Sequence, residues 1–290
     1  MAHHGAMATV ARPTTTTRLA HGVVEYRHDR RGGATVVVLY GGHMHAGLAL
    51  GEDVFVDAGY SVLVPSRPGY GRTPVSTGTT VTGFADVVGS LCEHLGIRRV
   101  AAVVGVSGGG PTATATAARH PDLVERVVLQ SALGPLPWPD RGTRLGAHLV
   151  FAGATEGVTW SVVHAIMRTV PDLGLRALLG PLSTRPARQV VTALSPGDRA
   201  TLIDLFSRMR SGRGFLNDLA VTPDCSGDVT QPALVIASRN DAAVPFAHAE
   251  ALASGIRYAT LLESGADSHF VWFSPDWPMI SRKLRDFLTG

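Results

Sequence analysis

From Val23 onward, short runs of apolar and β-branched residues alternate with longer segments of helical period. That alternation is how an α/β protein with a mostly parallel central sheet and helices on both faces is written. A parallel strand needs a long crossover, usually a helix, before the next strand can begin. The strand candidates are Val23–Arg27, Thr35–Tyr40, Ser61–Pro65, Val100–Gly105, Val127–Gln130, Ala233–Ala237 and Tyr258–Leu262. Most are near-continuous apolar runs, as strands covered on both faces require. Helices are expected at 47–58, 81–95, 109–119, 246–254 and 277–288, the last carrying Ile280, Leu284 and Phe287 at amphipathic spacing.

Between Leu133 and Gln231 the alternation stops. Helix-like segments at 146–152, 159–169 and 199–209 are broken there by Pro171, Pro181, Pro186 and Pro196. A structureless loop of that length is implausible, so residues 135–230 are expected to form a helical insert over one end of the sheet. The core is then 18–134 together with 231–290. Residues 1–17, with His3-His4, a second start candidate at Met7 and the run Thr14-Thr15-Thr16-Thr17, are expected to be a disordered tail or an engineered leader.

Composition narrows the function classes. A 290-residue chain that is 45% hydrophobic and 17% charged has ample material for a large core, which excludes wholesale disorder. No apolar run is long enough to span a membrane and no signal-peptide core is visible, so a cytoplasmic protein without a membrane partner is expected. The net charge of +3, from 26 basic and 23 acidic residues, is scattered and gives no stripe for nucleic acid. Cys92 and Cys225 cannot frame a disulfide scaffold and are expected to be reduced, partly buried thiols.

The most specific chemical signal is Gly105-Val106-Ser107-Gly108-Gly109, set between an apolar strand and a helix with Pro111 in its first turn. A strand-turn-helix of this kind is a nucleophile elbow, and its glycines allow close backbone approach around a strained serine. The stretch fits neither phosphate-cradling pattern: it lacks GK[ST] and does not match GxGxxG. A serine alcohol needs a base and a group to orient that base. His269, in a loop after the last expected strand, is the candidate base. His248 is expected on an exposed face of its helix. Asp241, at the carboxyl end of Ala233–Ala237, is the candidate acid, with Asp267 and Glu263 as rivals. Backbone donors for an oxyanion are expected at Gly108 and at Gly42, in the loop Gly41-Gly42-His43-Met44-His45-Ala46-Gly47. His43 and His45 lack a third ligand, so no metal or cofactor is expected and the pair is expected to line a pocket or shape the loop.

Taken in chain order, Ser107, Asp241 and His269 resemble the triad of the α/β-hydrolase-fold superfamily. The resemblance runs from about Val23 to Leu288 and includes Ser66-Arg67-Pro68-Gly69-Tyr70-Gly71-Arg72, which is similar to the family's loop after its third core strand. Departures are Tyr40, where the family often has His before the glycine, and Ser238, where it often has Gly. The resemblance implies a helical cap, matched by the insert, whose Trp138, Trp160 and Phe206 could line an apolar pocket. Arg208, Arg210 and Arg213 read better as a solvated basic face.

The expectation is a serine hydrolase acting on a small or medium ester, lactone or thioester, with a small molecule as its only implied partner and its oligomeric state unread. Carbon–carbon bond hydrolysis and acyl transfer use the same triad and stay open. A ligand-binding or non-hydrolytic protein on the same fold is the alternative from another class.

Overall fold

The computed structural model describes residues 10–139, 146, 150–219 and 224–290. The chain enters on β1 (Thr15–Leu19) and β2 (Gly22–Asp29), then builds β3 (Thr35–Leu39), β4 (Ser61–Pro65), β5 (Val100–Val106), β6 (Val127–Gln130), β7 (Ala233–Ser238) and β8 (Ala259–Ser264). These form one sheet in the order β1-β2-β4-β3-β5-β6-β7-β8. The first two strands are antiparallel to their neighbours and β3 to β8 run parallel. Between β3 and β5 the direction of strand addition reverses. The loops leaving those two strands therefore diverge and open a crevice at their carboxyl ends, the place where open α/β sheets build sites.

Among the described residues, three helices precede β6: α1 (Asp53–Asp57), α2 (Val81–His94) and α3 (Gly110–Arg119). Between β6 and β7 lie α4 (Ala154–Thr169), α5 (Pro171–Leu179), α6 (Ala187–Ala193), α7 (Pro196–Phe206) and α8 (Gly214–Asp218), and the chain ends on α9 (Ala247–Gly255) and α10 (Trp277–Thr289). The period of two in the strands decides which helix meets which face. Val36 and Val38 of β3 point to one side, with Phe55 of α1 and with Ile280, Leu284 and Leu288 of α10. Val37 and Leu39 point to the other, with Phe84 and Val88 of α2, Ala113 and Ala117 of α3, and Leu252 of α9. A fully buried Leu or Phe contributes about 1.5–3 kcal/mol, so both faces are firmly held.

The α4–α8 segment joins the first of these cores through Trp160, Met167, Leu175, Leu202 and Phe206. It also touches the loops at the carboxyl end of the sheet. Arg210 N–H donates to the His43 carbonyl, Gly214 N–H to that of Gly69, Thr184 N–H to that of Asn240, and His269 N–H to that of Leu182.

Several expectations need correction. The tail excluded through Thr17 is partly folded: Val10 is buried and Thr15–Leu19 pairs with β2. His3, His4 and Met7 lie outside the described residues, as do residues 147–149 of the helix expected at 146–152. The helix expected at 47–58 shrinks to α1, because the preceding residues form a loop tied to β3 by Tyr40. The helices α5 and α6 were hidden by prolines read as breakers. Pro171 instead takes the first turn of α5 and Pro186 the cap position of α6, where a missing N–H costs nothing. Both cysteines are free and buried.

Candidate active site

At the end of β5 the chain turns through Ser107, whose φ of 51° is in the left-handed region. A residue with a side chain pays about 1–3 kcal/mol to sit there. The surrounding glycines make the turn possible: a Cβ on Gly105 would stand 2.8 Å from the Gly110 Cα, and one on Gly109 only 1.9 Å from the Leu39 carbonyl oxygen. A side chain at Gly105 would push β5 and α3 apart, and one at Gly109 would push the elbow off the end of β3. Ser107 is half-buried, and its carbonyl accepts the Leu133 N–H.

The loop after β8 brings His269 to Asp241, at the end of β7, with Nδ1 and Oδ2 2.6 Å apart. Both are buried. The other carboxylate oxygen of Asp241 accepts the N–H groups of Ala243 (2.8 Å) and Val244 (2.9 Å), which fixes the carboxylate's plane. With Nδ1–H donating to this carboxylate, the neutral ring presents Nε2 as a proton acceptor. The His269 carbonyl is held by the Ser131 hydroxyl at 2.8 Å. The rival carboxylates are engaged elsewhere, Asp267 with Arg185 and Glu263 with Arg239.

Behind Ser107 lies the loop after β3. A Cβ on Gly41 would stand 2.6 Å from Ser107 Cβ and 3.0 Å from the Gly108 nitrogen, so this backbone packs directly on the elbow. The Tyr40 hydroxyl accepts the Leu50 N–H (2.8 Å) and donates to Glu52 (2.5 Å), itself paired with Arg27. Burial, reinforced by Glu52, pushes this phenol well above its ordinary pKa, so it stays a donor. Tyr40 thus anchors the loop from below, which accounts for a tyrosine at that position.

Above Gly42 lies Phe215 of α8, 3.1 Å from where a Cβ on that glycine would stand. The same ring stacks on His43 at 4.4 Å. His43 Nδ1 is 2.8 Å from the Ser211 hydroxyl, which also accepts Trp160 Nε1–H. Burial drops the His43 pKa to about 4, so it is a neutral structural ring. His45 accepts the Gly47 N–H.

A cavity of about 350 Å³ has Gly108 in its wall together with Arg67, Phe84, Leu133, Trp138 and Asp218. Of the expected pocket residues, Trp138 lines it. Trp160 and Phe206 are buried in the core, and His43 and His45 are not part of this wall. Arg208, Arg210 and Arg213 are exposed, as expected. His248 is corrected: it is buried, and its Nδ1 accepts the Gly134 N–H. Burial lowers its pKa. No sequence signal marks Asp218, which meets Arg67 and Tyr70 beside Gly108, because a lone acid on a short helix looks like any solvated charge.

The sequence profile of the alpha/beta hydrolase fold family matches residues 34–274. A hydrolase of Bacillus subtilis, YcgS, itself uncharacterized, is 30% identical over 93% of this chain and 96% of its own. A 2-hydroxy-6-oxononadienedioate/2-hydroxy-6-oxononatrienedioate hydrolase of Klebsiella pneumoniae is 27% identical over 78% of this chain and 77% of its own. A pimeloyl-[acyl-carrier protein] methyl ester esterase of Chromobacterium violaceum is 27% identical over 88% and 94%. Among solved structures, an alpha/beta hydrolase fold protein from Nakamurella multipartita superimposes with a TM-score of 0.81 over 95% of this chain and 99% of its own, at 24% identity.

Proposed function

The chain belongs to the α/β-hydrolase fold family, and from that premise we propose that it is a serine hydrolase cleaving small or medium esters, lactones or thioesters through an acyl-enzyme. The observation that carries this reading is the buried His269–Asp241 pair, 2.6 Å apart, at the same end of the sheet as the strained Ser107. In this mechanism His269 Nε2 takes the Ser107 proton while Oγ adds to the carbonyl carbon. The carbonyl electron pair moves onto oxygen, where the Gly42 and Gly108 N–H groups receive it. The tetrahedral species collapses, the leaving group departs with the proton from His269, and the acyl group stays on Ser107. Water, deprotonated by His269, then releases the acid and regenerates the hydroxyl.

Asp241 holds the ring in the required tautomer and stabilises the imidazolium. Residues 135–230 act as a helical cap over a core of 10–134 and 231–290, which takes in the folded stretch from Val10 to Thr17, with the cavity lined by Gly108 and Trp138 receiving part of the substrate. The apolar wall formed by Phe84, Leu133 and Trp138 supports a small-molecule ester. The deciding experiment is fluorophosphonate labelling with mapping of the modified residue, beside a chain-length series of p-nitrophenyl esters. Labelling at Ser107 with ester turnover is expected. A folded protein that is neither labelled nor active would instead be a ligand-binding member of the fold.

A further inference from the structure

The amide of Gly42 can serve an oxyanion only if the peptides on either side of it are held still. Arg67 Nε–H donates to the Tyr40 carbonyl at 2.6 Å, just before the glycine pair. The Tyr70 hydroxyl faces the main-chain N–H of His43, just after it, and lies 3.8 Å from where a Cβ on Gly42 would stand. One carboxylate holds both side chains. Asp218 Oδ1 accepts Arg67 Nη1 at 2.6 Å, and Oδ2 accepts Arg67 Nη2 at 2.7 Å and the Tyr70 hydroxyl at 2.6 Å. The cluster also borders the second expected donor, since a Cβ on Gly108 would stand 3.5 Å from Arg67 Nη2 and 3.6 Å from Asp218 Oδ2.

We propose that Asp218 is a positioning residue for the oxyanion site: its carboxylate locks Arg67 and Tyr70 against the peptides flanking Gly42, so the site is complete only when α8 is seated. The inference rests on the serine-hydrolase reading above. A bare carboxylate this close to a developing oxyanion would oppose it. The two-pronged pairing with Arg67 cancels that charge and leaves a rigid fork. Seating of α8 does not depend on the Asp218 side chain. Gly214 N–H donates to the Gly69 carbonyl at 3.1 Å, and its Cα packs so closely on the Tyr70 ring that a Cβ would stand 2.4 Å away. Replacing the carboxylate can therefore loosen the clamp without undocking the helix.

The test compares wild type, Asp218→Asn, Tyr70→Phe and the double variant with p-nitrophenyl esters, counting active sites by fluorophosphonate titration. Affinity for phenylboronic acid, which forms a tetrahedral anion on a serine, is measured in parallel. Each single variant should lower kcat per active site by about tenfold to a hundredfold, with KM within about threefold. Boronate affinity should fall in step with kcat/KM. The double variant should be much less impaired than the product of the two singles, because both act through one clamp. An unchanged kcat per site would overturn the proposal, even with a lowered Tm, by leaving Asp218 a purely structural role. A raised KM at constant kcat would also overturn it, by assigning Asp218 to ground-state binding. Should Asp218→Asn fail to fold, Tyr70→Phe, which removes a single oxygen, decides alone. Wild type that is not labelled at Ser107 would sink the hydrolase reading itself, whereas labelled wild type with an unimpaired Asp218→Asn sinks this inference only.

Discussion

At the residue scale, Ser107 holds a backbone conformation whose strain is independent of its hydroxyl, because the angle is set by the close packing of Gly105 and Gly109. Ser107→Ala should leave the thermal midpoint within a degree or so while lowering ester kcat by roughly a thousandfold or more, judged by triad deletions in other hydrolases. Near-wild-type turnover in the purified variant would exclude Ser107 as nucleophile. Asp241→Asn is subtler. The amide oxygen can still accept the Ala243 and Val244 N–H groups, but the amide nitrogen then donates toward His269 Nδ1 and favours the wrong tautomer. A fall in kcat of roughly a thousandfold to ten-thousandfold at nearly constant KM is expected. If Asp267→Asn proved damaging and Asp241→Asn silent, the acid would be misassigned.

At the element scale, β1 is the instructive case. Its residues Thr15–Leu19 are mostly exposed or half-exposed, yet they cover the edge of β2 and bring Thr14 to the buried Glu25. Arg72 closes the same cluster by pairing with Glu25. Val10, just upstream, is buried against the first core. Deletion through Leu19 should therefore lower unfolding free energy by about 2 kcal/mol or more, from lost apolar burial and an uncovered sheet edge. Urea titration of the shortened chain checks this, and an unchanged midpoint would return the segment to the status of a dispensable tail.

At the scale of the whole molecule, the buried and half-buried histidines make stability depend on pH. His43, pushed to about 4 by burial, and His45 and His248, both lowered by burial, bind a proton more readily in the unfolded chain, where the ordinary value is about 6.5. Their contribution is complete above that value and is lost as pH falls toward the folded-state value. Glu25, lowered by Arg72, Ser66 and Thr14 against the effect of burial, works in the same direction at lower pH. Urea midpoints should fall from pH 7 to pH 5, and His43→Gln should flatten that slope. Parallel slopes in wild type and variant would show that His43 does not titrate on unfolding.

Much of this fold was legible in the sequence because its signals are local. The strands Ser61–Pro65 and Val127–Gln130 were expected at their observed limits. The elbow around Ser107 could be read from five residues, since its steric requirement lies within them. That Asp241 and His269 should work together was expected from what a serine nucleophile needs, whereas their meeting depends on β7 and β8 lying side by side in the sheet. The sequence alone thus determined the layering, the strands of the sheet core and the end of the sheet where the loops gather. Only the tertiary structure decided which polar groups became buried partners. His248 and Asp218 look like surface residues in the chain, and Thr14–Thr17 looks like the end of a polar tail, because a charge or hydroxyl reads the same whether water or a partner satisfies it. The Asp218 contacts span 151 residues to Arg67 and 148 to Tyr70. Pairings at that separation are set by how the α4–α8 segment docks on the sheet's loops, a geometry that no local periodicity encodes.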